Sequence, residues 1–565
     1  MLLTLSGNTS INALTIASTD LTLGDDGILH VSTGYTGTTD AHARSLTVGS
    51  AGQIVFTDLT PWNSTYAGVT VGQVTAQAGA VIDVSSIDAS TGTSGSIAQD
   101  QIIHADNGGL SQALINAAGG VSGTFALAGA TDGHVSKTVN IGDGTVGTAT
   151  YNFSLFQDET SVDLSYQLTA VNVNPDQQLV LAGSAGDSTA SGGDSILSAL
   201  VTGSGGLEIA DNAVRLKNNG NSYSGTTTVQ NDATLYAEED TLGETNLLDV
   251  LGTAYVDDNE VDVLNVGETG TLHLTGDLTI DGGAASVSSI DGKVLGSGGL
   301  RLNAGTLTVS SNNAGVSGYT GTVTLSGTLN FADNANLGTG VITMAGTGAA
   351  INIAVSGTEV MTNTVTSSGD GIGAISVSGT NAAADSFAFA SDQRSGAFTG
   401  TLTLTNVAYN FGSSGNNHLA SATMHVNGGA QINIIDAAGA ENNLLGGLAL
   451  NGGGIDFGTA AGQLNLQNAG SLTLGQTGTT FEVDSKLSVI ENDAGSAAFG
   501  SNESVTLIAG IANAGSLTNG ALNNAITVSG DGTSISRDIR RRISQMRMPR
   551  PSRRSPADLP MKRFS

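Results

Sequence analysis

Two Gly-Asp-Ser tripeptides, Gly186-Asp-Ser188 and Gly193-Asp-Ser195, are where this chain comes nearest to offering a nucleophile. A serine becomes nucleophilic only beside a base that takes its proton and donors that hold the oxyanion. The first tripeptide runs on into Thr189 and the second into Ile196-Leu197, and no Asp-x-x-His partner follows either. In a Ser/Gly-rich chain such tripeptides arise by chance. Carboxylates are the next candidates. Asp257, Asp258, Glu260 and Asp262 form the densest cluster, with Glu238, Glu239 and Asp240 nearby. Such a group could hold Ca²⁺ or work as an acid and base on a glycosidic bond. The preferred reading is a solvated acidic turn that keeps a nearly neutral surface soluble. The seven histidines (His30, His42, His104, His134, His273, His418, His425) lack metal-ligand spacing. The glycine-rich nonapeptide that binds Ca²⁺ in repeat proteins is absent. Trp62 stands alone and is expected to pack locally. The expectation is therefore no catalytic residue, no metal ligand and no cofactor site: not an enzyme.

The elements that would carry these residues repeat. Leu21-Thr-Leu-Gly24-Asp-Asp-Gly27 returns as Leu46-Thr-Val-Gly49-Ser-Ala-Gly52, Leu264-Asn-Val-Gly267-Glu-Thr-Gly270 and Leu472-Thr-Leu-Gly475-Gln-Thr-Gly478. After each second glycine, apolar alternation resumes, as in Thr271-Leu-His-Leu274. That pattern reads as strand, tight turn, strand, with glycine turning the corner because it tolerates positive φ. His30 and His273 hold equivalent places after the turn, which reads as repeat geometry. A longer phrase also recurs: Gly203-Ser-Gly-Gly-Leu207 then Tyr223-Ser-Gly-Thr226, and Gly296-Ser-Gly-Gly-Leu300 then Tyr319-Thr-Gly-Thr322. Tyr35-Thr-Gly-Thr38 and Phe398-Thr-Gly-Thr401 are related pieces. Behind Thr322 and Thr401 the match continues, with Asn330-Phe331 answering Asn410-Phe411 and Ile351-Asn-Ile353 answering Ile432-Asn-Ile434. Repeats of this kind predict a solenoid, in which Val323, Leu325 and Leu329 point inward while Thr322 and Thr324 point out. Passages of roughly 20–25 residues stacked at ~4.8 Å would make a rod approaching ~100 Å.

Composition agrees. The 565 residues include 80 Gly but only 4% aromatics and 12% charged residues, too little charge for a disordered acidic chain and no long helical periodicity. There is no Cys, so no disulfide framework. The net charge of −31 disfavours nucleic acid and anionic membranes as partners. The balance is uneven: residues 537–565 carry ten basic and two acidic residues, and four of the six prolines. The preceding 536 residues carry a net −39.

Residues 1–98 and 176–536 read as rungs. Residues 99–175 break the pattern and read as a junction or cap-like module. Within it, 110–118 (Leu-Ser-Gln-Ala-Leu-Ile-Asn-Ala-Ala) reads as a short helix, and 151–156 with 162–168 as an aromatic-rich hairpin. Residues 537–565 read as a disordered basic tail, whose abrupt change at Arg537 suggests a shifted reading frame. No basic leader precedes the repeats, and the first Lys or Arg is Arg44, so a signal peptide is not expected.

The phrases Tyr223-Ser-Gly-Thr-Thr-Thr-Val229, Ala233-Thr-Leu235 and Tyr319-Thr-Gly-Thr-Val-Thr-Leu325 resemble the strand repeats of autotransporter passenger regions, the adhesin-type proteins of type V secretion in Gram-negative bacteria. Phe125-Ala-Leu127 with Tyr151-Asn-Phe-Ser-Leu155 is similar to the module that often precedes the family's membrane barrel. The resemblance covers most of residues 1–536. It implies an all-β, right-handed parallel β-helix carried through an outer-membrane barrel and displayed on the cell surface, with roles in adhesion, autoaggregation and biofilm formation. Its partners would be host or bacterial cell-surface molecules, including copies of itself on other cells. Serine-protease passengers carry Gly-Asp-Ser-Gly, which neither tripeptide matches, and Gly193-Asp-Ser-Ile-Leu197 is only weakly similar to the Gly-Asp-Ser-Leu block of lipases. The chain departs from the family in showing neither signal peptide nor barrel, and membrane insertion of this fragment is not expected. The competing expectations are a carbohydrate-active β-helix enzyme and a non-functional remnant of a disrupted gene.

Overall fold

A computed structural model describes the chain from residue 2 to 434 apart from short segments, the longest being 12–19, 33–44, 58–67, 87–95, 311–317, 390–397 and 412–418. Beyond them it describes strands only, from Leu444–Leu445 to Ala525–Val528. Trp62, His42, His418, the Tyr35 phrase, the Gly475-Gln-Thr-Gly478 corner and the basic segment 537–565 lie outside the described residues. The chain forms two compact units, residues 1–307 with 316–322, and residues 308–315 with 323–565.

The first unit is all-β apart from single helical turns such as Ile102–Ala105. It opens with two parallel sheets. One holds Leu2–Leu5, Asp20–Leu23, Ser45–Val48 and Val74–Ala76, and the other Asn8–Ile11, Ile28–Ser32, Gln53–Thr57 and Val81–Ser86. Each passage of the chain adds one strand to each sheet, in register: Leu21 beside Leu46 beside Val74, Leu29 beside Ile54 beside Ile82. From residue 178 the same construction resumes in three sheets. Thr226–Val229, Leu247–Val250 and Leu264–Val266 lie in one, and Thr234–Ala237, Thr253–Val256 and Thr271–Leu274 in the second. Asn259–Val261, Leu278–Ile280 and Leu300–Leu302 form the third. Alternation of side chains along each strand makes the core: Leu235, Ala254, Leu272 and Val294 form one buried column. Each buried Leu or Val contributes roughly 1.5–3 kcal/mol.

Three of the repeated corners occupy equivalent bends. Gly27, Gly52 and Gly270 each donate their N–H to the carbonyl three residues back, on Gly24, Gly49 and Gly267, at 2.8–3.0 Å. The same bond closes Gln77 to Ala80 and Gln230 to Ala233, corners without the glycine pair. Positive φ is not the reason for the glycines, because neither Gly52 nor Gly270 has it. Crowding is. A Cβ on Gly270 would lie 2.2 Å from the Val250 carbonyl oxygen of the neighbouring passage. At Gly252, where the corner shrinks to Leu251-Gly252, a Cβ would stand 2.2 and 2.4 Å from the carbonyl oxygens of Gln230 and Ala233.

The longer phrase has a related cause. Gly203-Ser-Gly-Gly lies directly against Tyr223-Ser-Gly: Ser224 N–H donates to Gly203 O and Gly225 N–H to Gly205 O. A Cβ on Gly225 would lie 2.4 Å from the Gly205 backbone, and one on Gly206 2.0 Å from Thr226 O. Gly296-Ser-Gly-Gly meets Tyr319-Thr-Gly the same way, with Gly321 against Gly298 O. The two motifs travel together because glycine packs on glycine across adjacent passages. The tyrosine of each fills the interior, and both are fully buried. Tyr223 meets Thr227 at 3.0 Å, hydroxyl to hydroxyl, and Thr227 meets Thr245 at 3.1 Å.

Between the parallel arrays stands the module. Gly147–Gln157 and Ser161–Val173 form the expected hairpin, an antiparallel pair with Phe153 opposite Tyr166. The helix expected over 110–118 is not there. Leu110–Ala117 is a strand, antiparallel to Ser161–Val173 with a bulge between Ala113 and Ile115, and parallel to Val69–Val71. The open edges of both neighbours take up its backbone hydrogen bonds, and tertiary pairing overrides the helical preference of Leu and Ala. The nearby helical turn is Ile102–Ala105 instead.

The second unit is built of parallel sheets too. One runs Thr328–Phe331, Ala350–Ala354, Ala374–Ser378, Thr401–Thr405 and Thr423–Asn427, and another Thr358–Met361, Ser386–Phe389, Ala408–Phe411 and Gln431–Ile434. Val323, Leu325 and Leu329 are buried, while Thr322 is exposed and Thr324 half-exposed. The matched phrases do not share a face. Asn330-Phe331 lies in the first of these sheets and Asn410-Phe411 in the second, so similar strand wording moves round the stack. Passage length varies from 16 residues, Asp249 to Asn265, to 29, Ser496 to Ala525.

Candidate functional site

The acidic residues singled out in the sequence are spread over corners and one strand of the first unit, and one of them, Asp258, ties its carboxylate to backbone. Asp258, at φ 44°, accepts the N–H of Asp277 on Oδ1 at 2.7 Å, and Asp277 accepts the N–H of Gly299 at 2.9 Å. Asp240 donates its N–H to Asp258 O. Each carboxylate of the pair caps the next passage, which is a structural use. Glu260 stands outward on its strand, beside Thr279, with Arg301 one step further, and Arg301 reaches Asp277 at 3.9 Å. Arg301 is thus two strands from Glu260 in register and pairs with Asp277. Among the described residues no three His, Asp or Glu side chains are placed to hold a metal ion. The residue that organises the corner is one the sequence reading passed over: buried Asn259 accepts from Leu242 N–H and donates to Glu238 O and Asp257 O. Asn221 does the same work two passages earlier, between Val201 N–H and Thr241 O.

Ser195 is fully buried and its Oγ accepts the N–H of Ser184 at 3.1 Å. Ser188 lies in an exposed loop whose centre is Asp187. That carboxylate accepts the N–H groups of Thr189, Ser191 and Gly192, and these bonds hold it well below the usual carboxylate range.

The loop is pinned to an outward column that spacing did not reveal. Arg215, Tyr236, Tyr255 and His273 are register partners on four successive strands of one sheet. The Tyr236 and Tyr255 rings stack at 4.7 Å with planes 5° apart, and Tyr255 stacks on His273 at 4.4 Å and 13°. The Arg215 guanidinium covers the other face of the ladder, 4.6 Å from the Tyr236 ring. Its remaining donors reach Ala190 O, Thr189 O and Glu238 Oε1. The Tyr236 hydroxyl donates to Ser188 O. All four ladder side chains are half-exposed. Partial burial, with Tyr255 beside it, pushes the Tyr236 phenol up, and burial pushes His273 down, so the imidazole stays neutral near pH 7. The ring faces are used within the ladder, and ring edges and the Tyr255 hydroxyl are what it offers outward.

Polar ladders occupy other strands. Asn265 donates to Asp249 and accepts from Ser289, both at 2.6 Å. In the second unit Asn352 donates to Asn330, and Asn433 to Asn410, each at 2.9 Å. His30 and His425 sit on outward, half-exposed strand positions like that of His273, and His134 is exposed in a turn. Among the described residues no helix is long and apolar enough to cross a membrane. No protein family, characterised protein or solved structure matches the chain.

Proposed function

We propose that the parallel sheets are the faces of a right-handed parallel β-helix, with residues 99–175 as a cap-like module within it. The chain is then the passenger region of an autotransporter-type adhesin. Right-handedness is the sense that crossover connections between parallel strands take in nearly all proteins. The family reading rests on the Tyr-x-Gly-Thr phrases and their paired Gly-Ser-Gly-Gly. The function is contact: adhesion to cell-surface molecules and aggregation of cells that carry the protein on their outer membrane. The single observation that supports it most is the in-register outward ladder of Asn330, Asn352, Ser376 and Thr403, a repeated polar face whose weak contacts add up when many copies meet.

Beads coated with the full chain test this reading. They clump with one another or with bacterial cells, and the double variant Asn330→Lys, Asn352→Lys, which sets like charges along the face, disperses them. Beads that stay dispersed and bind no cells would overturn the proposal.

A further inference from the structure

Seven tyrosines are described, and they divide sharply. Tyr151, Tyr166, Tyr223, Tyr319 and Tyr409 are 1% exposed or less, while Tyr236 and Tyr255 are half-exposed. The two that solvent reaches are the two that stack on each other, in register on adjacent parallel strands, 4.7 Å apart and 5° from coplanar. Both backbones are held by the same ladder, and the guanidinium of Arg215 and the imidazole of His273 close the two ends of the stack. Neither ring can drift away from the other without unstacking those neighbours.

We propose that Tyr236 and Tyr255 form an oxidative cross-linking site, joined as dityrosine by a one-electron oxidant of the peroxidase and hydrogen peroxide class. Each phenol gives up one electron and its hydroxyl proton. The unpaired spin spreads to the ring carbons next to the oxygen, and those carbons of the two rings couple. The new carbon–carbon bond replaces one ring C–H on each tyrosine, and both rings return to phenols as those hydrogens move to oxygen. Overall one hydrogen peroxide and two tyrosines give one dityrosine and two waters. The bond ties adjacent passages of a chain that has no cysteine with which to make a disulfide. Intramolecular coupling is favoured over coupling between molecules because the partner ring is already in contact.

The test treats the full chain, at high dilution, with peroxidase and hydrogen peroxide. The expected product is a monomer with blue dityrosine fluorescence, two hydrogens lighter, whose digest contains one linked peptide pair carrying Tyr236 and Tyr255. Tyr255→Phe keeps the ring stack and loses at least nine-tenths of the monomer's dityrosine signal. Tyr151→Phe leaves the signal unchanged. A link that maps to Tyr35 or Tyr66, dityrosine confined to dimers, or a signal that survives in monomeric Tyr255→Phe would each overturn the proposal. Circular dichroism of Tyr255→Phe confirms that a lost signal does not report a lost fold.

Discussion

The antiparallel module and the parallel passages between residues 200 and 300 satisfy their interiors differently. In those passages the buried polar side chains form closed sets: Asn221 and Asn259 bond successive corners together, and Tyr223, Thr227 and Thr245 run hydroxyl to hydroxyl to the Leu242 carbonyl. In the module, buried Asp106 reaches the N–H groups of Ser198 and Ala199 with one oxygen and leaves the other without a protein partner, as is the hydroxyl of buried Tyr151. Desolvation pushes the Asp106 carboxyl up to about 6 against the pull of those backbone bonds. Repetition explains the contrast. A passage that meets a copy of itself can reuse one solution, whereas the module must join strands of both senses and keeps a charge where no repeat supplies its partner. Its second link to the passages is of the same makeshift kind, Gln99 accepting the N–H of Val180.

Glycine substitutions break the comparison most visibly. Gly252→Ala forces a methyl into two carbonyl oxygens and is expected to destabilise by about 3 kcal/mol or more, since the backbone of two passages must part. Gly129→Ala in the module meets nothing within 4 Å and suffers only from its φ of 70°, a cost of about 1–2 kcal/mol. Urea unfolding of both variants checks the order, and equal losses would remove the distinction between crowding and conformation.

Asn259→Ala comes next. It takes the side-chain partner from the Leu242 N–H and the Asp257 carbonyl, while Glu238 O keeps its bonds from Thr241, for a loss of about 2–3 kcal/mol by the same measurement. Asp106 sharpens the comparison through pH. Its folded carboxyl keeps the proton up to about 6, while an unfolded aspartate releases it near its ordinary value of 3.8. Between those values the folded state binds more protons, so stability falls as pH rises through that window and is constant above it. Asp106→Asn cannot ionise and removes this slope. Thermal melts at pH 4 and pH 7 should bring the two proteins' difference out, with the wild type relatively stronger at pH 4. Asp187 and Asp385 act oppositely: their carboxyls are held low by backbone N–H groups, so what they contribute is present above about pH 4 and is lost below it. The smallest effect is expected on the surface. Arg215→Ala removes the cation over Tyr236 and loosens the 184–192 loop, at about 0.5–1 kcal/mol, seen as faster proteolysis of that loop.

Much of the architecture is readable from residues alone because a strand has period two and a corner has little room. Val323, Leu325 and Leu329 announce their burial, and the glycine corners announce their bends. The reason for the glycines is not readable, since crowding by the neighbouring passage and positive φ leave the same letter. Leu110–Ala117 misleads because its composition suits a helix and only the open strands beside it decide otherwise. The ladder hides for another reason. Arg215, Tyr236, Tyr255 and His273 are unequally spaced, and only the register, after loops of different length, brings them into one column.

The central claim is that successive passages lie parallel and in register, and an engineered cysteine pair tests it in a chain that has no cysteine of its own. Thr234 and Thr253 are register partners on the outer face, about 4.8 Å apart as neighbouring strands must be, within reach of a disulfide. Thr234→Cys with Thr253→Cys should oxidise to a single intramolecular disulfide, while Thr234→Cys with Ala254→Cys, whose side chains point to opposite faces, should stay reduced. Equal oxidation of the two pairs, or none in the first, would contradict the stacked register on which the rest depends.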